Sequence, residues 1–394
     1  MERDYTKLNS TDAPWLNVPS ARAVCDAILA GGHQVYYVGG CVRNALLGEP
    51  MSDVDMATSA TPDQVIALTK AANLKPVPTG IDHGTITVVS DGVGYEVTTF
   101  RRDVETDGRR AVVAFSTDIL DDARRRDFTM NALYADRDGA VIDPLGGLDD
   151  LRMRRVRFIE NAEQRIREDY LRTLRYFRFH AWYGDTSEGL DADALAAIGS
   201  NLSGLETLSA ERVGTEIKKL LAADDPSTAL AAMAQTGVLG TILSGADPKL
   251  TMLMIHGATH VNVTPDWIGR LVSMGGADVP SRLRLSNAEK KKYETIYHAA
   301  YDGPSLLGVA YEHGSEIAVQ AHLIQSAIAE TLPNPSYVQA LIKAAEQVFP
   351  ISASDLMPQY QGAALGACLA ELKAAWISSA FEMQKAELLK AANL

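Results

Sequence analysis

The chain has 394 residues, 46% of them hydrophobic and 22% charged, the make-up of a folded protein with enough apolar residues for two to four domains. A formal charge of -13 excludes a protein that coats nucleic acid indiscriminately, and no apolar run has the length of a membrane span. Cys25, Cys41 and Cys368 are too few and too scattered for a disulfide framework, and the polar opening "MERDYTKLNS" reads as no secretory leader, so a cytoplasmic protein is expected.

Taken from the N-terminus, helical patterns at 20–31, 41–48, 62–73 and 128–134 are interleaved with strand-like runs. The runs are "QVYYVGG", "DVDMAT", "TITVVS", "YEVTTF", "AVVAF" and "GAVIDP", rich in β-branched residues and separated by turn signals such as "SDG" and "DRDG". After about Leu148 the strand signals stop. Alanine- and leucine-rich helical patterns then run to the end, broken at "ADDPS", "SGADP", "ADVPS", "TLPNPS" and "PISAS". The expected fold class is α+β: a mixed head followed by an all-α remainder.

Residues 38–57 read "VGGCVRNALLGEPMSDVDMA". On a strand, the period of two puts Asp53 and Asp55 on one face, where two like charges are unfavourable without a cation between them. Hard oxygen ligands suit Mg²⁺, with phosphate completing its shell. Gly39 and Gly40 let backbone approach a phosphate closely, a helix start aims amide groups at it, and Arg43 adds a forked cation. A bare D-x-D is most often a solvated turn. The glycine turn, arginine and carboxylate pair in succession are the organisation of a nucleotidyltransferase site.

At 124–133, "RRRDFTMNAL" offers Arg126 to a triphosphate and Asn131 to a sugar or backbone group; the bland alternative is a solvated helix end. Residues 151–180 hold nine arginines against Glu160, Glu163, Glu168 and Asp169, a basic segment in an acidic protein that implies one polyanion site. Within it, "REDYLRTLRYFRF" at 167–179 places Ile166, Tyr170, Leu174, Phe177 and Ala181 on one helical stripe. Asp169, Arg172, Arg175 and Arg178 step by three into a ridge starting opposite that stripe. It is either an exposed ion-paired face or a reader of bases: an Asp acceptor and an Arg donor match the amino group and ring nitrogen that cytosine and adenine share, and that uracil and guanine present in the opposite order.

The set "GGCVRNALLG", "DVDMATSATP", "GIDHGTITVV", "YEVTTFRRD", "RRDFTMNAL", "DPLGGLDDL", "EDYLRTLRYFRF" and "ERVGTEIKKLL", in this order over about 36–221, resembles the class II tRNA nucleotidyltransferase (CCA-adding) and bacterial poly(A) polymerase family. The resemblance implies a polymerase-β-like head at 20–148, and an all-α neck at 149–221, body at 222–300 and tail at 301–394. It implies that C, C and A are added to the 3′ end of tRNA from CTP and ATP with release of pyrophosphate. Asp53 and Asp55 are then catalytic ligands of two Mg²⁺ ions. Gly40, Arg43 and Arg126 contact the incoming nucleotide, and Asp169, Arg172, Arg175 and Arg178 form its pocket. Glu96 is a possible third carboxylate, and "FRRDVETDGRR" at 100–110 matches the family's mobile loop. Asn44 stands where the family usually has Asp. Poly(A) polymerases tend to carry a basic stretch where this chain has "TGIDHGTITVV", which counts against that activity. CC-only or A-only addition stays open, and an inactive RNA-binding module is the non-enzyme alternative.

Overall fold

The computed structural model describes residues 5–50, 53–107, 110–303 and 305–392, and the side chains of all of these except 103–113. The chain forms two compact units, Met1–Leu208 with Thr236–Val238, and Ser209–Gln235 with Leu239–Leu394.

The first unit is built on a seven-stranded mixed sheet. Its elements are α1 (Pro19–Ala30), β1 (Val35–Val38), α2 (Gly40–Leu47), β2 (Asp55–Thr58), α3 (Pro62–Ala71), β3 (Lys75–Gly80), β4 (Thr85–Ser90) and β5 (Val93–Thr99). Then come β6 (Arg101–Asp107), β7 (Arg110–Phe115), α4 (Ile119–Arg124), β8 (Tyr134–Ala135), β9 (Val141–Ile142), α5 (Gly147–Arg152), α6 (Ala162–Glu168), α7 (Leu171–Tyr183) and α8 (Ala192–Gly199). The strand order is β3-β4-β5-β2-β1-β8-β9, with β2 and β5 parallel and every other pair antiparallel. Local chemistry sets the helix ends. Pro19 and Pro62 occupy first-turn positions, Thr61 and Gln64 form a capping box, and α2 stops at the left-handed Gly48.

β4 alternates burial residue by residue, and the central strands contribute Tyr37, Val38, Met56 and Ala57 to the core. Two strands lie outside the sequence-based expectation. β3 contains Pro76 and Pro78, which a central strand excludes but the sheet edge tolerates. β6, across residues read as a loop, pairs with β7 as a separate two-stranded ribbon; of that loop, residues 108–109 and the side chains from 103 to 110 lie outside the described residues.

Two helical expectations are corrected. Residues 128–134 form a 3-10 turn at Thr129–Asn131 leading into β8, because Phe128, Met130, Ala132 and Leu133 are all wholly buried and the chain threads the core. The helical stretch expected around 166–181 is two helices. α6 ends at Glu168, Asp169 is extended, and its carboxylate accepts from the Leu171 backbone N–H at 3.1 Å, capping the start of α7. Asp169 therefore precedes the helix that carries Arg172.

The second unit is helical among its described residues, from α9 (Ala210–Leu221) to a last helix at Lys385–Ala391. Ser209 caps α9, and Gly214 packs so closely that a Cβ there would lie 2.0 Å from the Leu283 carbonyl oxygen. At the other end of α9 the fully buried Arg270 donates to the carbonyls of Leu221, Ala223 and Asp224, a guanidinium where the helix dipole is negative. A separate apolar cluster, Ile351, Leu356, Cys368, Leu372, Trp376 and Leu388, closes the C-terminal end.

Candidate active site

The sheet register collects the expected residues at one end of the strands. Val38 pairs with Asp55 and also with Tyr134, and Asp55 pairs in parallel with Glu96. One residue past Val38, Gly39 turns with φ +71° and ψ -121°, a conformation that a side chain strains, and Gly40 opens α2. The glycine turn and the carboxylates are neighbours for that reason. Asp53 lies just before β2 instead of on it, yet Asp53, Asp55 and Glu96 line one cleft of about 660 Å³. Pro14, Trp15, Val18, Val93 and Tyr95 supply its apolar wall; the Tyr95 hydroxyl is fixed 2.7 Å from that of Ser20. The wall residues at 14–18 precede every motif, and no pattern in the sequence marked them.

Burial pushes the Asp55 carboxyl up to about 6; Glu96 adds to the rise, Arg126 opposes it and Asp53 adds again. A carboxylate that burial and two like charges disfavour is one a cation would relieve, so the donor set fits Mg²⁺. Among the described residues no three His, Cys, Asp or Glu side chains are grouped to hold a metal alone. The fit rests on Asp53 and Asp55, with phosphate oxygens and water as the remaining ligands of a hard cation.

The sign of the pH dependence follows. Folding raises the Asp55 value from 3.8 to about 6, so the folded chain holds that proton more tightly, and stability from this group declines as pH rises through that window. Metal binding needs the ionised form and competes with the proton. Activity is expected to fall below about pH 6, and the acid limb to move to lower pH as Mg²⁺ is raised; an acid limb indifferent to Mg²⁺ counts against Asp55 as a ligand.

Behind the turn lies a buried polar network that sequence reasoning largely missed. Asp122, wholly buried, pairs with Arg125 and Arg126 and accepts from the Tyr134 hydroxyl at 2.8 Å. Burial alone would raise its carboxyl, but Arg126 and Arg125 hold it down to about 2. A Cβ at Gly39 would stand 3.4 Å from Arg126 Nη1, so the expected triphosphate cation lies over the glycine turn. Arg43 is placed differently from a phosphate contact. It is 6% exposed, with its guanidinium donating to Asn44 Oδ1 (2.7 Å), Asn131 Oδ1 and the Tyr183 hydroxyl (2.9 Å), and lying 4.0 Å from the Tyr183 ring centroid. Asn44 thus serves as a neutral acceptor, and its amide donates to the Pro50 carbonyl at 2.7 Å. Asn131 is likewise engaged, donating to Asp127 at 2.8 Å, which takes it away from a sugar.

Asp127 joins this network to α7. Its carboxylate accepts from the Phe128 N–H (2.9 Å), from Asn131 and from Arg175 Nε (2.7 Å). Burial would raise it, but Arg175 and Asn131 hold it well below the usual carboxylate range. Its place after three arginines in "RRRDFT" was the available signal. Arg165 donates to the Arg126 carbonyl at 2.6 Å, and Arg172 donates to Glu168 (2.6 Å) and to the carbonyls of Arg165 and Arg125. Arg178 lies 4.6 Å from the Phe179 ring centroid. Of the nine arginines in the basic segment, Arg152, Arg154, Arg157, Arg165, Arg167, Arg172 and Arg175 form ion pairs within the chain, so much of that charge serves as internal clamps.

A mixed sheet that sets a glycine turn beside paired carboxylates, backed by helices that grip the same end, defines a nucleotidyltransferase head. The comparisons agree. Residues 35–157 match the family model described as Poly A polymerase head domain, and 189–250 the one described as a probable RNA and SrmB-binding site of polymerase A. The mitochondrial CCA tRNA nucleotidyltransferase 1 of Mus musculus is 33% identical over 97% of this chain and 92% of its own length. The CCA-adding enzyme of Geobacillus thermodenitrificans is 43% identical over 55% of this chain and 52% of its own. The crystal structure of the Bacillus stearothermophilus CCA-adding enzyme in complex with CTP superposes with a TM-score of 0.73 at 27% identity, covering 95% of this chain and 97% of the other. The chain belongs to the CCA-adding tRNA nucleotidyltransferase family.

Proposed function

We propose that the protein adds C, C and A to the 3′ end of tRNA, using CTP and ATP and releasing pyrophosphate. The observation that carries this is near full-length similarity to a CCA tRNA nucleotidyltransferase together with Asp53 and Asp55 in one cleft beside the glycine turn. Among the described residues no helix is long and apolar enough to cross a membrane. A cytoplasmic setting belongs to the same proposal, supported by three buried, unpaired cysteines.

Asp53 and Asp55 would hold two Mg²⁺ ions, which when bound lower the pKa of the attacking 3′-hydroxyl and offset charge on the pyrophosphate. Gly40 and Arg126 seat the triphosphate: the turn gives backbone approach, and the Asp122 carboxylate and Tyr134 ring hold the Arg126 guanidinium in place. Arg43, with its donors on Asn44, Asn131 and Tyr183, acts on the nucleotide by holding α2. Asp169 and Arg172 choose the base, with Arg172 prealigned by Glu168, and Arg175 and Arg178 continue the pocket. In this proposal 20–148 is the head, 149–221 the neck, and the body (222–300) and tail (301–394) follow the acceptor arm by backbone and A-form shape.

Base choice gives a quantitative test. Asp169→Ala removes the acceptor for the amino group of C or A, so kcat/KM for UTP should rise relative to CTP by roughly ten- to a hundredfold, the ~1–3 kcal/mol of one bidentate-type contact. An unchanged CTP:UTP ratio with activity retained would return Asp169 to being only the cap of α7. The reaction itself is tested by incubating tRNA ending before CCA with each nucleotide singly and together and sequencing the 3′ ends. Addition stopping at CC, a lone A or a long A tract would each replace the full CCA reading.

A further inference from the structure

Only one row of α7 reaches solvent along most of the helix: Arg172, Arg175, Arg178 and Trp182, at steps of three, three and four. Trp182 is 44% exposed, whereas Trp15 and Trp376 are 3% exposed and Trp267 is half-buried. A lone surface aromatic is ordinary. This one continues a row of arginines at a helix end built from guanidinium and aromatic planes, with Arg178 on the Phe179 ring and Arg43 4.0 Å from the ring centroid of Tyr183, the next residue.

We infer that Trp182 is a stacking platform for an unpaired base of the tRNA acceptor end, a contact separate from the Asp169–Arg172 pair that reads the incoming base. The inference rests on the function proposed above. Ten residues of helix separate Arg172 from Trp182, about 15 Å along the axis and several times the roughly 3.4 Å spacing of stacked bases. Trp182 therefore cannot touch the base that Asp169 and Arg172 read, and it serves a different nucleotide. An indole face accepts any base, but only one that has left a duplex, and Arg178, one turn before Trp182 on the same helix face, adds a guanidinium beside it.

The test uses the full chain and two acceptor minihelices, one blunt and one with an unpaired 3′ nucleotide. Trp182→Ala should weaken binding of the overhang minihelix roughly tenfold, as expected for one stacked base. Trp182→Phe should keep most of the affinity. The blunt minihelix should bind both variants and wild type alike, and KM for CTP should stay within twofold. Quenching of tryptophan emission by the overhang minihelix should be present in the wild type and lost in Trp182→Phe, a comparison that subtracts Trp15 in the wall of the catalytic cleft. Equal weakening for blunt and overhang minihelices, a loss shared with CTP, or no quenching would overturn the proposal. A wild-type chain that incorporates nothing into tRNA ending before CCA would sink the functional reading itself, and the quenching titration separates that failure from this one.

Discussion

Asp55→Ala should lower nucleotide incorporation at least about a thousandfold, some 4 kcal/mol of lost transition-state stabilisation, and Asp53→Ala should act in the same direction. The physical reason is that the two carboxylates share a cleft in which Glu96 adds to the negative charge at Asp55 and Arg126 opposes it, so each supplies charge that a cation needs. A second readout distinguishes this from damage to the fold. Burial already disfavours the ionised Asp55, so Asp55→Asn should raise the unfolding temperature at pH 7 while activity disappears, the trade expected where a site is kept at a cost in stability. tRNA affinity should change little. Near-wild-type turnover of either alanine variant at saturating Mg²⁺ would remove these residues from the metal site.

The next largest effect is expected from Asp127→Ala. Removing this 8%-exposed carboxylate takes from Arg175 its ion pair with Asp127, and from Asn131 and the Phe128 N–H that acceptor. Breaking a buried pair from one side costs about 3–5 kcal/mol, and Arg175, at 32% exposure, has enough water nearby to set the lower end of that range. The loss should be local, with faster amide exchange at 126–132 and at the start of α2, because Asn131 also holds Arg43. Activity should fall with it. Asp127→Asn, which keeps an acceptor without the charge, should lie between. In an Arg175→Ala background the same substitution should cost less, a coupling of about 0.5–3 kcal/mol. Additive effects would mean that Asp127 and Arg175 act independently, and α7 would then not steady the glycine turn through them.

Much of the site was legible because its signals are local. The glycine turn, the D-x-D pair and the α7 arginines each lie within a short span, and the strands β1, β2, β4 and β5 announce themselves by alternation or β-branched runs. The failures also have local explanations that only the folded chain exposes. The apolar stretch 128–134 has residues suited to a helix, yet every side chain in it is buried, and the bond from Asn131 to Asp127 closes a turn instead. Residues 166–181 keep one helical period, but the Asp169 carboxylate takes the Leu171 N–H at the start of a new helix and breaks it. β3 is not among the strand-like runs because proline is excluded from strands except at an edge, and the edge is a property of the sheet order.

By itself, then, the sequence determined the class of chemistry: which residues are acids, cations and glycines, and at what spacing along the chain. Tertiary structure decided which charges act on one another. Seven arginines of the basic segment look alike in sequence to those that would meet a polyanion, but each found an acid within the protein. Arg175 pairs with a carboxylate 48 residues away and Arg43 with a hydroxyl 140 residues away. Pairing at such separations is set by which elements the core brings together. An ion's role depends on its distance to the nearest opposite charge and on its burial, and neither is written in the spacing of a motif.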